Sequence, residues 1–194
     1  MTDTILTPER ILDTAEEVLR RFGPSKTTVV DVARALGVSH GSVYRHFESK
    51  AALRDAVTER WLGRISQPLA EITAESGPAP QRLRRWLDLL IDYKQRQSRT
   101  DPELFANYLA LVNESREVVT AHVNTLLSHL TQILSDGMAH GEFLIDDPAQ
   151  AARVVLDATT RFHNPVHVRE WSDPHIQDDF EAVWSLLLNG LGAS

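Results

Sequence analysis

The sequence predicts an all-α protein, a small three-helix head followed by a larger helical body. Three observations predict it. Apolar residues recur at three- and four-residue steps along almost the whole chain. Asp101-Pro102, Asp147-Pro148, Asn164-Pro165 and Asp173-Pro174 each set a capping side chain directly before a proline. That pattern reads as a helix start, because proline at the first helical position gives up no needed donor. No segment alternates with a period of two, so nothing reads as sheet.

The elements follow in order. Residues 1–6 read as a frayed arm. Thr7-Pro8 opens a first helix whose stripe is Ile11, Leu12, Ala15, Leu19 and Phe22, and Gly23-Pro24 stops it. Thr28 caps a second helix, with Asp31 completing a near capping box at its positive end. Val29, Val32, Ala33 and Leu36 supply its apolar face, and Gly37 offers the left-handed conformation that turns the chain. Ser39 then caps a short third helix through His46. Val43 and Phe47 face inward there. His40, Gly41, Ser42, Tyr44, Arg45 and His46 are left outward. Two helices joined by a glycine turn, the second with a short polar, aromatic and basic outer face, suit the major groove of DNA. Lys50, at the start of the fourth helix, and Thr28 sit where helix N-termini present donors to phosphate.

From Ile11 to Trp61 the chain resembles the DNA-binding domain of the TetR family of bacterial transcription regulators. The matching runs are TTVVDVARALGVS and GSVYRHFESKAALRDAV. The resemblance implies DNA contacts from Thr28, Ser39, His40, Gly41, Ser42, Tyr44, Arg45, His46 and Lys50, with Tyr44 touching the backbone. Where the family often has lysine after the capping serine, this chain has His40, which makes the charge there pH-dependent. The resemblance also implies a homodimeric repressor on double-stranded, near-palindromic operator DNA, released by a small-molecule effector whose identity the sequence leaves unknown. On this reading residues 1–48 form the DNA-binding domain. Residues 49–194 form the ligand-binding and dimerisation domain, joined through the helix starting at Ser49.

Charge agrees with a confined DNA-binding face. The chain carries a net −7, yet between Lys26 and Arg54 five bases meet two acids. No cysteine is present, which excludes disulfides and thiolate metal sites and fits a reducing cytoplasm. No long apolar run resembles a signal peptide or a membrane span, so a cytoplasmic protein without a membrane partner is expected. No phosphate loop or HExxH pair occurs, so no catalytic residues and no cofactor are expected.

In the body, ligand sites between helices are mostly apolar with a few polar groups. The candidates are Trp86, Tyr93, Phe105, Tyr108, His122, Phe162, His163 and His167. Six of eight histidines follow residue 120, which raises a metal-responsive alternative. However, Asn164-Pro165 separates His163 from His167, and His122 and His129 lie about 10 Å apart along a helix, so no metal site is expected. The last helix, read as beginning at Asp173-Pro174, carries Phe180, Val183, Trp184, Leu187 and Leu188. With Ala151 and Val155 it forms the expected dimer interface. A helical protein that binds another protein through its head is the remaining alternative. The polar and basic outer face of the third helix argues against it.

Overall fold

The computed structural model describes residues 6–193, and the described residues contain α-helices and short 3-10 turns with no strand. The expected N-terminal arm lies, except for Leu6, outside them. The helices are α1 (Pro8–Phe22), α2 (Val29–Leu36), α3 (His40–Tyr44), α4 (Lys50–Ala74), α5 (Ala79–Thr100), α6 (Pro102–Glu114), α7 (Arg116–Ala139), α8 (Pro148–Ala158), α9 (Thr160–His163) and α10 (Ile176–Gly190).

The chain divides into two compact units. The first holds the segment up to Gly63 together with Asp101–Ala121, and the second holds Arg64–Thr100 and His122–Ser194. In the first unit Ile11, Ala15, Val18 and Leu19 of α1 are buried with Val29, Val32 and Ala33 of α2 and with Val43. Thr7 caps α1 by accepting from the Arg10 amide at 3.2 Å. Gly37, with φ 69° and ψ 27°, supplies the left-handed turn between α2 and α3.

α6 belongs to this first unit. Trp61 of α4 stacks on Tyr108 of α6 with ring centroids 4.6 Å apart and planes 3° from parallel, and meets Phe105 edge-on at 6.2 Å. Ser115, buried between α6 and α7, donates to Asp55 Oδ1 at 2.7 Å and accepts from Arg54 Nε at 3.2 Å. Arg54 also reaches Glu114 Oε2 at 3.0 Å. α4 is therefore held to the α6–α7 corner by both an aromatic stack and a polar clamp.

In the second unit, Leu83, Leu87 and Leu90 of α5, Leu130, Ile133 and Leu134 of α7, Val155 of α8 and Phe180 of α10 are buried. Gly137 lies inside α7 with the Phe143 ring against it. A Cβ there would come within 2.3 Å of that ring. This glycine serves a close approach, and α7 runs on past it to Ala139.

Two of the four acid- or amide-proline pairs start α-helices: Asp101 caps α6 and Asp147 caps α8. The other two do not. Asn164 caps only the 3-10 turn Pro165–His167. Asp173 accepts from the His175 amide at 2.9 Å, and α10 starts later, at Ile176. The local signal marks a turn that proline permits; whether a helix continues depends on what the following residues can bury. α4 passes through Pro68 as one helix.

Candidate functional site

The outer face of α3 is built by local capping. Ser39 Oγ accepts from the Ser42 amide at 3.2 Å and lies 2.9 Å from Ser42 Oγ. Val43 is fully buried and Phe47 nearly so, which fixes the rotation of the helix. Ser39, His40, Gly41, Tyr44, Arg45 and His46 are consequently exposed, and Ser42 half-buried. Tyr44 keeps 42% of its surface exposed and meets the His40 ring edge-on at 6.4 Å. A tyrosine with this much free surface on a polar face can offer its hydroxyl to phosphate.

The two flanking helix starts differ. Lys50 is exposed at the first position of α4, where Ser49 Oγ accepts from the Ala52 amide at 3.0 Å. Its ammonium and the helix end can therefore act together on an anion. At α2, Thr28 Oγ1 accepts from the Asp31 amide at 3.2 Å and donates to Asp31 Oδ2 at 2.6 Å. That bond, helped by Arg34, holds the Asp31 carboxyl below its usual range. The hydroxyl hydrogen of Thr28 is committed to the cap, so toward phosphate this position offers backbone N–H groups.

The expected ligand-binding residues separate between the units. Phe105 and Tyr108 lie in the first, against Trp61. Trp86, Tyr93, His122, Phe162, His163 and His167 lie in the second. Trp86, Phe162 and His163 are buried. His122 Nδ1 pairs with Ser66 Oγ at 3.0 Å, and His163 Nε2 lies 3.3 Å from Thr159 Oγ1. His167 instead bonds Glu170 at 2.6 Å, so it and His163 do not converge. Sequence reasoning missed Lys94, which is 7% exposed in the interior. Burial pushes its ammonium down to about 8, and burial with the Lys94 charge pushes His122 and His163 down to about 4. Only its position one heptad after Leu87, on the apolar face of α5, could have given it away.

The expected interface residues also separate. Ala151 and Val155 of α8 and Val183 and Leu187 of α10 line an open apolar groove, joined by Val154, Ala158, Leu186 and Leu191. Leu186 is 72% exposed and Val154 is 50% exposed. Leu188 is half-buried outside that lining. Phe180 and Trp184 face into their own protomer. Phe162 meets Phe180 at 5.2 Å, and the Arg84 guanidinium lies 5.0 Å from the Phe180 ring and 5.5 Å from that of Trp184. Glu181 and Asp88 hold Arg84 there. Both faces of α10 are apolar, so the stripe alone did not say which one turned inward.

Residues 11–57 match the profile described as bacterial regulatory proteins, tetR family, and residues 79–184 match the tetracyclin repressor-like C-terminal domain. The chain belongs to the TetR family. It is a DNA-binding transcriptional regulator. TetR-family likeness runs the length of the chain. The helix-turn-helix transcriptional regulator YhgD of Bacillus subtilis is 24% identical over 188 residues, covering 95% of this chain and 96% of its own. SmeT of Stenotrophomonas maltophilia shares the fold with a TM-score of 0.68 at 22% identity, over 95% of this chain and 90% of its own. FadR of Bacillus subtilis does so with a TM-score of 0.62 at 19% identity, over 95% and 99%. No helix among the described residues is long and apolar enough to cross a membrane.

Proposed function

We propose that this protein is a homodimeric repressor that binds a near-palindromic operator and is released by a small-molecule effector held in its second unit. The exposed, locally capped face of α3 carries this reading. Two such faces are needed, because adjacent half-sites in the major groove lie about 34–36 Å apart and one head reads only one of them. The open apolar groove along α8 and α10 supports pairing with a second copy, since a monomer seldom leaves such a face to water. The structural neighbours support the effector: SmeT is described as the repressor of a multidrug efflux pump and has been seen with triclosan, and FadR with stearoyl-CoA. Residues 50–63 of α4 belong to the first unit and 64–74 to the second. A ligand that alters this helix would change head spacing, and a change of spacing removes operator affinity.

The test is operator binding as a function of salt. Operator fragments selected from genomic DNA should bind with an affinity that falls steeply as salt rises, through counterion release. Lys50→Ala should weaken binding and reduce the log–log slope by about one. A slope unchanged by this substitution removes Lys50 from the contact surface. A salt-independent affinity refutes phosphate-dominated binding altogether.

A further inference from the structure

α4 is anchored separately in each unit. Its buried stripe is Leu53, Val57 and Trp61 in the first unit, then Ile65 and Leu69 in the second. In the first unit Arg54 and Asp55 meet Ser115, and Trp61 stacks on Tyr108. In the second, Arg82 of α5 closes the end of α4. Its Nε donates to the Ile72 carbonyl at 3.4 Å, and Nη2 donates to the Thr73 carbonyl. Its Nη1 reaches Asp136 Oδ2 of α7 at 2.9 Å, which ties that end of α4 to two helices. Ser66 adds a contact to His122 at 3.0 Å.

Between these anchorages the helix is weak by composition. The units divide between Gly63 and Arg64. Packing does not call for a glycine there. A Cβ at Gly137 would strike the Phe143 ring, whereas a Cβ at Gly63 meets no described heavy atom within 4 Å beyond its own helix backbone and chain neighbours. Alanine at residue 63 would therefore fit, and would favour the local helix about fivefold over glycine. Pro68 lies about one turn beyond Arg64. It has no N–H, so the ladder lacks the bond from residue 68 to the carbonyl of residue 64, and its ring crowds that carbonyl. Both defects bear on one link, residues 63–64. α7 also passes from one unit to the other, at Ala121 and His122, but has neither glycine nor proline there. Of the two continuous helices, α4 is the compliant one.

The geometry points to a hinge in α4 at Gly63–Arg64, made by Gly63 and Pro68 together, that lets the head of each protomer tilt and accept half-sites of more than one spacing. This rests on the reading of the protein as a two-headed operator-binding dimer, and it names the link on which regulation of head spacing acts. A few residues that absorb the change in φ and ψ are enough for such a motion.

The experiment uses the full-length dimer and a selected operator whose half-sites are moved one base pair closer, one further and two further apart. Each base pair shifts a half-site by about 3.4 Å and turns it by about 34°. Fluorescence anisotropy gives the affinity of the parent, Gly63→Ala, Pro68→Ala and the double variant for each spacing. Amide exchange at residues 63–67 reads the link directly. Exchange there should slow about fivefold in Gly63→Ala and further in the double variant. The ratio of affinities between the best and the altered spacings should grow about tenfold in the double variant. The ratio is the readout because stiffening can also change which spacing fits best. Ala70→Gly, which weakens α4 away from the link, should keep the parent's ratios. Parent-like ratios in the double variant, or unchanged exchange in both single variants, would overturn the hinge. A spacing profile flattened by Ala70→Gly would overturn its placement at residues 63–64. If Pro68→Ala does not fold, Gly63→Ala alone decides, since it adds one methyl to open space. A parent whose affinity ignores spacing would overturn the two-headed reading, and slowed exchange in the variants would still uphold the hinge.

Discussion

Leu186→Glu and Trp184→Ala separate the two faces of α10. In the protomer the Leu186 side chain is 72% exposed, so glutamate there should cost the fold no more than about 0.5 kcal/mol. In a two-fold interface along the α8–α10 groove the same change enters twice. Each copy loses about 1.5–3 kcal/mol of apolar burial and adds about 1–3 kcal/mol for a polar group left without a partner. At the low end of both ranges the dimer weakens by about 5 kcal/mol, roughly 5,000-fold in dissociation constant. Trp184 is only 9% exposed and lies beneath Arg84. Its truncation should cost about 3–5 kcal/mol of protomer stability, and the exposed side of the groove should keep its lining. Sedimentation equilibrium reads the first effect and urea denaturation followed by circular dichroism reads the second. Leu186→Glu should be a folded monomer that has lost operator affinity; Trp184→Ala should be a less stable dimer. A Leu186→Glu protein with the parent's dimer affinity would refute the assignment of this groove. Parent-like stability in Trp184→Ala would refute the inward assignment of that ring.

Two further outcomes follow from the buried polar groups. Ser115→Ala removes a hydroxyl that bridges Asp55 and Arg54, so it should cost about 1–3 kcal/mol in urea denaturation and speed amide exchange at the start of α4; unchanged exchange there would mean the aromatic stack alone holds the corner. His122 and His163 have folded values near 4, below the usual histidine value of 6.5, so the unfolded chain takes up more protons between those limits. Stability is then full above pH 6.5 and falls as pH drops toward 4, by up to about 3 kcal/mol for each histidine. Denaturation midpoints of His122→Gln and His163→Gln measured across this range should show a smaller fall than the parent, and an equal fall in all three proteins would remove these rings as the cause.

The head was legible because its rules are local. Thr28 with Asp31, Gly37 and Ser39 act within four residues of themselves, and their caps and turn stand where the sequence puts them. The outward set on α3 followed from the inward pair Val43 and Phe47 by helical geometry alone. Asp101-Pro102 and Asp147-Pro148 worked for the same reason, whereas Asn164-Pro165 and Asp173-Pro174 gave turns because continuation of a helix depends on burial. The body was legible only as a set of helices. Nothing local tells Phe105 and Tyr108 that Trp61 is their neighbour, which places them in the first unit. Nothing local distinguishes Trp184, inside, from Leu186, outside, when both sides of α10 are apolar. Lys94 reads as a surface lysine until α7 and α9 are packed against α5. Periodicity and capping are written in a few consecutive residues, and so the sequence determined most of the helices and the exposed face of α3. Which face is inside, and which charged groups lie there, depends on pairs of residues tens of positions apart, and only the tertiary structure decided that.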